Sequence, residues 1–446
     1  MSVLLIITYI ISSIFISIFT KKQQHIIEDI SSNKKNIYYF IIFHIIPILC
    51  FVEYFLYNPS FSDFINYYKT SFDISTNYSE AMSTDSPGTF ITYIILLIVF
   101  IFLIPCLLIK FRIKKYLHLL ICLVPIFFSY KSTVVRNDEE HILIALEITS
   151  VTLSIALMLF AINTPNDFIS KKIPKLFIYH NKIIHVIGII IIFLATILCS
   201  FSNSYNIQSP KIKIQIPTEI KEKIDNKTVT SYPWDILWSA NNQLNYVCFP
   251  TLQSYVAFDP YLDQKNADFF NSTSAPDYII WEQKSIDDRL LEWESPKTYF
   301  TIFTNYEYSG LYYEYNYRKI NLLQKKAIPP KASIISKNTI QSQIDRSIDI
   351  PLTQSIKTIS FNTSKKNISM LKKSLFRTEP LYINMEFSDN SIKKYRILPS
   401  QMESELPLSI FSFTNVSKEI KRISFSGKDL KLYDKDITIT ITEYNI

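Results

Sequence analysis

The sequence predicts an α-helical membrane bundle of about six spans, followed by an extracytoplasmic α/β unit and a β-sandwich-like domain. Three observations predict it. Apolar residues concentrate before residue 202, although 48% of the whole chain is hydrophobic. Basic side chains alternate between the connections of that first part. Beyond residue 326 the apolar positions follow a period of two. The boundaries read from these changes are 1–202, 203–325 and 326–446.

The stretches 2–20, 37–57, 89–109, 116–132, 141–162 and 183–201 are long and apolar enough to be read as spans of a hydrocarbon core of roughly 30 Å. The fourth, LHLLICLVPIFFSY, is the shortest and contains Pro125. The first has no basic leader and no small-residue cleavage pattern, so it is not expected to be a cleavable signal. Lys21, Lys22, Lys34 and Lys35 flank the first connection. Lys110, Arg112, Lys114 and Lys115 fill the third, and Lys171, Lys172, Lys175 and Lys182 the fifth. The second holds Lys69 against Asp63, Asp73, Glu80 and Asp85. Basic connections stay in the cytoplasm. The expected location is therefore a bacterial inner membrane, with everything after residue 202 on the extracytoplasmic side.

In 203–325 short apolar runs such as PDYIIWE and KTYFTIFTNY surround YLDQKNADFF, where Tyr261, Leu262, Phe269 and Phe270 fit a surface helix; this reads as a small α/β unit. After the AIPPKAS link, Leu381, Ile383, Met385 and Phe387 of LYINMEF share one face. ITITITEY, KTISFN and KRISFSG repeat the pattern of a β-sandwich. The first of these regions has 12 basic and 15 acidic residues, net −3; the second has 19 and 12, net +7. A basic module of this kind suits anionic lipid heads or acidic glycans.

Composition also excludes chemistry. The glycines are Gly88, Gly188, Gly310 and Gly427, which leaves no nucleotide-binding loop of the GxGxxG or Walker type. No histidine follows His185, so the C-terminal half has no Ser-His-Asp triad or histidine-based zinc site. The cysteines form no CxxC spacing and no disulfide framework. No RNP-like or helix-turn-helix signature is present, and nucleic acid is not an expected partner.

One connection carries more charge than a turn needs: VVRNDEEHI, Val134 to Ile142. Transfer from a lipid-linked sugar needs a cation for the diphosphate and a base for the acceptor hydroxyl. Arg136 suits the first role, and Asp138 or His141 the second. Two adjacent carboxylates here can alternatively hold a divalent metal with the diphosphate. Glu147 lies seven residues after Glu140, on the same helix face; Glu53 and His44 are candidates for the same cavity. In the outer part Trp234, Asp235, Gln253, Tyr255, Asp287 and Arg289 combine aromatic faces with amide, carboxylate and guanidinium groups, as in many sugar sites. Trp281 and Trp293 read as structural.

The stretch SYPWDILWSANNQLNYVCFPTLQSYVAFDPYLDQKNADFF, followed by APDYIIWEQKSIDDR, resembles the outer domain of a family of uncharacterised polytopic bacterial inner-membrane proteins. The elements that carry the resemblance are Pro233-Trp234-Asp235, Leu244-Asn245-Tyr246, Pro250, Gln253-Ser254-Tyr255, Asn266, Ala275-Pro276 and Asp287 with Arg289. LYINMEFSDNSIKKYRILPSQ is similar to the strand pair that closes the family's β-rich tail, and VVRNDEEH to its outer-loop cluster. Phe249 stands where an arginine is usual, and Asn137 where a further histidine is usual. The resemblance implies a membrane location and a two-part outer domain, and no reaction.

The leading expectation is an envelope transferase or ligase acting on a lipid-linked sugar at the outer membrane face, with lipid and an envelope glycan as its partners. Its rival is a non-enzymatic envelope protein whose membrane-anchored outer domain binds a glycan or a protein. A transporter ranks third, because no inverted repeat is visible.

Overall fold

The computed structural model describes residues 60–84, 117–136 and 214–445 except 316, 354, 370–376 and 409–418, together with isolated positions within 49–56 and 138–152. The chain forms two compact units, Met1–Asp73 and Ile74–Ile446. In the first, the Phe61 and Phe64 rings of one helix stack at 6.1 Å, and Phe64 meets Tyr68 edge to face at 4.6 Å. That three- and four-residue spacing puts them on one face.

The expected six-span membrane bundle is not the architecture observed. Among the described residues, no helix is long and apolar enough to cross a membrane. Helix α1 (Phe61–Met82) occupies the stretch read as the second connection. Helix α2 (Leu117–Arg136) covers the expected fourth span. Its apolar run ends at Phe128, where SYKST follows, and Ser129 and Thr133 are buried. In the expected fifth span the described helical positions bury Ala145, Thr149 and Thr152, while Ile144, Ile148 and Val151 are exposed. The stretches 2–20, 89–109 and 183–201, most of 37–57, His44 and Glu147 lie outside the described residues.

From residue 214 the chain is dominated by sheet. Helix α3 (Thr218–Ile224) precedes strand β1 (Val229–Tyr232), which runs parallel to β2 (Tyr278–Glu282). The crossover between them holds α4 (Leu237–Ala240) and α5 (Pro260–Asn271). Helices α6 (Leu291–Glu294) and α7 (Pro296–Asn305) follow. Antiparallel β3 (Tyr306–Tyr315) and β4 (Arg318–Lys325) complete a sheet of order β1-β2-β4-β3.

Alternation along the central strands assigns the two faces. Ile279, Trp281 and Leu323 pack with Phe270, Tyr299 and Ile302 from α5 and α7. Tyr278, Ile280, Ile320 and Leu322 pack with Ile220, Ile224 and Trp238 on the other side. A sheet covered on both faces needs strands that are apolar throughout, and YIIWE is buried at every position. Two devices fix the helices. Asp259 caps α5 by accepting from the Tyr261 and Leu262 amides, at 3.0 and 3.4 Å, with Pro260 in the first turn. Buried Asp263 accepts from the Lys297 and Thr298 amides at the start of α7, at 2.9 and 3.0 Å.

Two further sheets face each other. One has the order β10 (Leu406–Pro407), β7 (Ile356–Asn362), β12 (Asp436–Asn445), β5 (Ser333–Gln343). The other has the order β6 (Ile348–Asp349), β11 (Ile420–Ser426), β8 (Leu381–Phe387), β9 (Ile392–Ile397). Their inward residues share one core: Ile359, Phe361, Ile437, Ile439 and Ile441 meet Leu381, Ile383, Met385, Phe387 and Phe425. The Phe361 and Phe425 rings meet edge to face at 5.0 Å. Trp293 of α6 joins this core and donates its indole N–H to the Pro407 carbonyl at 2.8 Å, tying the α/β layer to the sandwich.

Candidate functional site

Asp138 lies just before the helical residues His141 and Ile142. Its Oδ1 accepts the His141 backbone N–H at 2.9 Å, and its carbonyl accepts the Ile142 N–H at 3.1 Å, as at a helix N-cap. The same Oδ1 lies 2.6 Å from His141 Nδ1. Burial works against the Asp138 charge, but hydrogen bonds from the His141 backbone and ring, with the charges of His141 and Arg136, outweigh it and hold the carboxyl below its ordinary value. An ionised carboxylate only accepts. The imidazole therefore carries its proton on Nδ1, and Nε2 is left as the acceptor of the neutral ring. His141 and Asp138 are partly exposed, at 31% and 37% of their side chains.

Arg136, at the C-terminal end of α2, extends the chain of contacts. It donates from Nη1 to Asp287 at 2.9 Å and from Nε to Asp138 at 3.4 Å. Asp287 lies in the turn after β2, where Asp287 and Asp288 both adopt left-handed backbone, with φ of 51° and 58°. Aspartate tolerates that conformation better than most residues. The turn is fastened on three sides. The Ile286 N–H donates to Glu294 at 3.0 Å, the Ser285 hydroxyl to the Arg289 carbonyl at 2.7 Å, and the Arg396 N–H to the Asp288 carbonyl at 2.8 Å.

Arg289 and Arg396 are almost fully buried, with relative exposures of 3% and 2%. Arg396 donates to the Ser83 carbonyl and the Glu80 carbonyl, each at 2.6 Å. Arg289 donates to the Tyr255 carbonyl at 3.1 Å and to the Ala81 carbonyl. Both guanidiniums thus satisfy carbonyls at the end of α1, where cations also suit the helix dipole. Lys365 adds a pair to Glu80, at 2.7 Å. Burial and then the Arg289 charge lower the Arg396 pKa to about 10, against the opposing pull of Asp287.

Two tyrosines face this chain. Burial raises the Tyr78 phenol, Arg136 pulls it back, and Asp138 raises it further. Burial also raises Tyr255, against a hydrogen bond with Gln253; Glu294 raises it, and Arg136 and Arg289 lower it. The Tyr255 ring meets Trp234 edge to face at 5.2 Å, and the Lys284 ammonium lies 5.1 Å from the centre of the Trp234 ring. Trp234 and Tyr255 are half-buried and Gln253 is exposed.

The structure thus brings Arg136, Asp138, His141, Asp287 and Tyr255 together, with Trp234 and Gln253 beside Tyr255. Arg289 supports the group from beneath. Asp235 belongs to a different knot: its Oδ2 accepts from Arg318 at 2.6 Å, Arg318 also pairs with Glu282 at 2.6 Å, and the guanidinium covers the Trp238 ring at 4.6 Å. Glu53 belongs to the first unit. Tyr78, Arg396 and Glu294 were not singled out in the sequence. Tyr78 hides in a stretch read as a connection, and Arg396 in a strand quoted only for its similarity. Among the described residues, no group of three or more His, Cys, Asp or Glu side chains is placed to hold a metal ion. Glu139 and Glu140, the other carboxylates of the loop, lie outside the described residues.

No family model, curated protein or solved structure matches the chain. The similarity to inner-membrane proteins therefore rests on the quoted residues alone.

Proposed function

We propose that this chain is an acid–base enzyme of saccharide transfer, in which His141 exchanges a proton with a sugar hydroxyl and Asp138 orients the imidazole. The observation that carries the reading is the 2.6 Å contact between Asp138 and His141 Nδ1, which leaves Nε2 as the working nitrogen. Surrounding groups suit a polyhydroxylated ligand. Arg136 donates, the Asp287 and Asp138 carboxylates accept, and the Tyr255 and Trp234 rings offer aromatic faces. Because Arg136 already faces two carboxylates, a donor diphosphate would have to compete with them for its N–H groups. The donor class is a saccharide on diphosphate, with the lipid-linked form named by the sequence reading.

The second reading is saccharide binding without reaction, favoured by the Trp234–Tyr255 corner with Lys284 over it. Replacement of the chromosomal gene by D138A or H141Q separates the two. An enzyme loses a surface polysaccharide at unchanged protein level. Wild-type polysaccharide in both strains would count against transfer and leave binding, tested then by W234A.

A further inference from the structure

Strand β5 has 11 residues, and none of them is buried. Among the described residues it pairs only with β12, so its other edge presents a row of open N–H and C=O groups. Its inward face also lies beyond the core. Ile439 of β12 is fully buried, whereas Ile340, its partner in register, is 41% exposed. Ile334 and Ile335 are more exposed still. The other described sheet edges are guarded. β6 and β10 are two residues each. The Asp288 carbonyl meets β9, the 245–247 backbone meets β1, and β3 is bulged between Tyr308 and Tyr312. β5 has no proline and a single charge, Lys337.

We propose that this edge joins a second copy of the chain. β5 pairs with β5 in antiparallel register about a two-fold axis at Asn338, making one continuous sheet across both copies. The axis falls at the middle of Ser333–Gln343, so every residue of the strand finds a partner. Ile334 faces Ser342, Ile335 faces Gln341, and Ser336 faces Ile340. The charge pattern selects a second copy over a foreign chain. Lys337 faces Thr339, so the strand's one cation does not meet itself. Just past the strand, exposed Lys331 of each copy comes to the same end as exposed Asp345 of the other, an opposite-charge pair at both ends. A closed two-fold contact is also the commonest form of self-association. Pairing satisfies the open main-chain groups and covers part of the exposed isoleucines. The contact is independent of the saccharide reading.

Sedimentation of the full wild-type chain, with no substitution, should show a monomer–dimer equilibrium. N338C should form a disulfide-linked dimer on mild oxidation, because opposed Cα atoms of an antiparallel pair lie roughly 4.5–5.5 Å apart. Wild type, which has Cys248 exposed, and I392C on the edge of the other sheet should not. N338K and N338D each set like charges opposite one another and should weaken the dimer about five-fold, the scale of one cross-strand pair. An equimolar mixture of the two should restore it, because only a residue on the axis meets its own copy. A wild type that stays monomeric up to roughly 100 μM overturns the proposal. So does the absence of the N338C link, or equal dimerisation by N338K, N338D and wild type. Oxidation in whole cells that links N338C to a different protein, and not to a second copy, overturns it as well.

Discussion

Asp287 Oδ2 accepts a hydrogen bond from Arg136 Nη1 at 2.9 Å, joining residues 151 positions apart in the chain. The pair connects the turn after β2 to the end of α2, and beneath it Arg289 and Arg396 hold the end of α1.

Arg396 cannot be replaced conservatively. Its two Nη groups satisfy the Glu80 and Ser83 carbonyls in a buried setting. A lysine presents a compact ammonium in place of that fork. R396K should destabilise the fold by about 2 kcal/mol, the cost of leaving a buried carbonyl unsatisfied. Chemical denaturation of the second unit's transition measures it, and a change under about 0.5 kcal/mol would assign the arginine a surface-like role.

The buried acids set a pH dependence whose sign is fixed. Burial raises Glu292 to about 7 from an ordinary 4.5, and its hydrogen bond from Tyr299 only partly offsets this. The folded state then holds a proton that the unfolded state has released. Stability falls as pH rises from 4.5 to about 7 and levels off above it. E292Q should remove that share of the slope and stabilise the protein at pH 8 by on the order of 2 kcal/mol. An unchanged slope in E292Q would show that Glu292 does not titrate in this range.

Asp138 acts in the opposite direction. Its folded carboxyl lies below the ordinary 3.8, so the stability it contributes is present above that value and is lost as pH falls through the folded pKa. D138N should flatten the acid limb below about pH 4. The pair is partly exposed, so the effect is small, and thermal unfolding between pH 2.5 and 5 should detect it.

Trp281 is the packing centre of the α/β layer. It stacks on Tyr232 at 5.0 Å and meets Tyr299 edge to face at 5.5 Å. W281A should cost about 3–5 kcal/mol through the cavity it leaves, and W281F distinctly less. Equal losses for both would point to the indole N–H bond with Gln283 instead of volume.

What was legible in the sequence was local. The alternation of LYINMEF follows directly from the strand period, and Leu381, Ile383, Met385 and Phe387 are buried. Arg136, Asp138 and His141 stand close together in the chain, so proximity alone grouped them. What hydropathy could not supply was the surroundings of an apolar run. In the expected fifth span Thr149 and Thr152 face inward while Ile144 and Ile148 face outward. In α1, the aromatic and polar residues of NYYKTSFDISTNYSEAM resembled a connection because no long apolar stripe marks them. The contacts of Asp287, Arg396 and Glu294 join residues remote in sequence, which no periodicity reveals. Asp235 was grouped with the ligand candidates by its neighbour Trp234, yet Arg318, 83 positions away, claims it.

The most direct measurement of the site is the nitrogen-15 chemical shift of the two His141 ring nitrogens, recorded in the full chain at pH 8. An imidazole held by Asp138 should show a protonated Nδ1 and an unprotonated Nε2, and D138N should disturb that pattern. A proton on Nε2, or a mixture of tautomers unaffected by D138N, would contradict the dyad and the chemistry proposed for it.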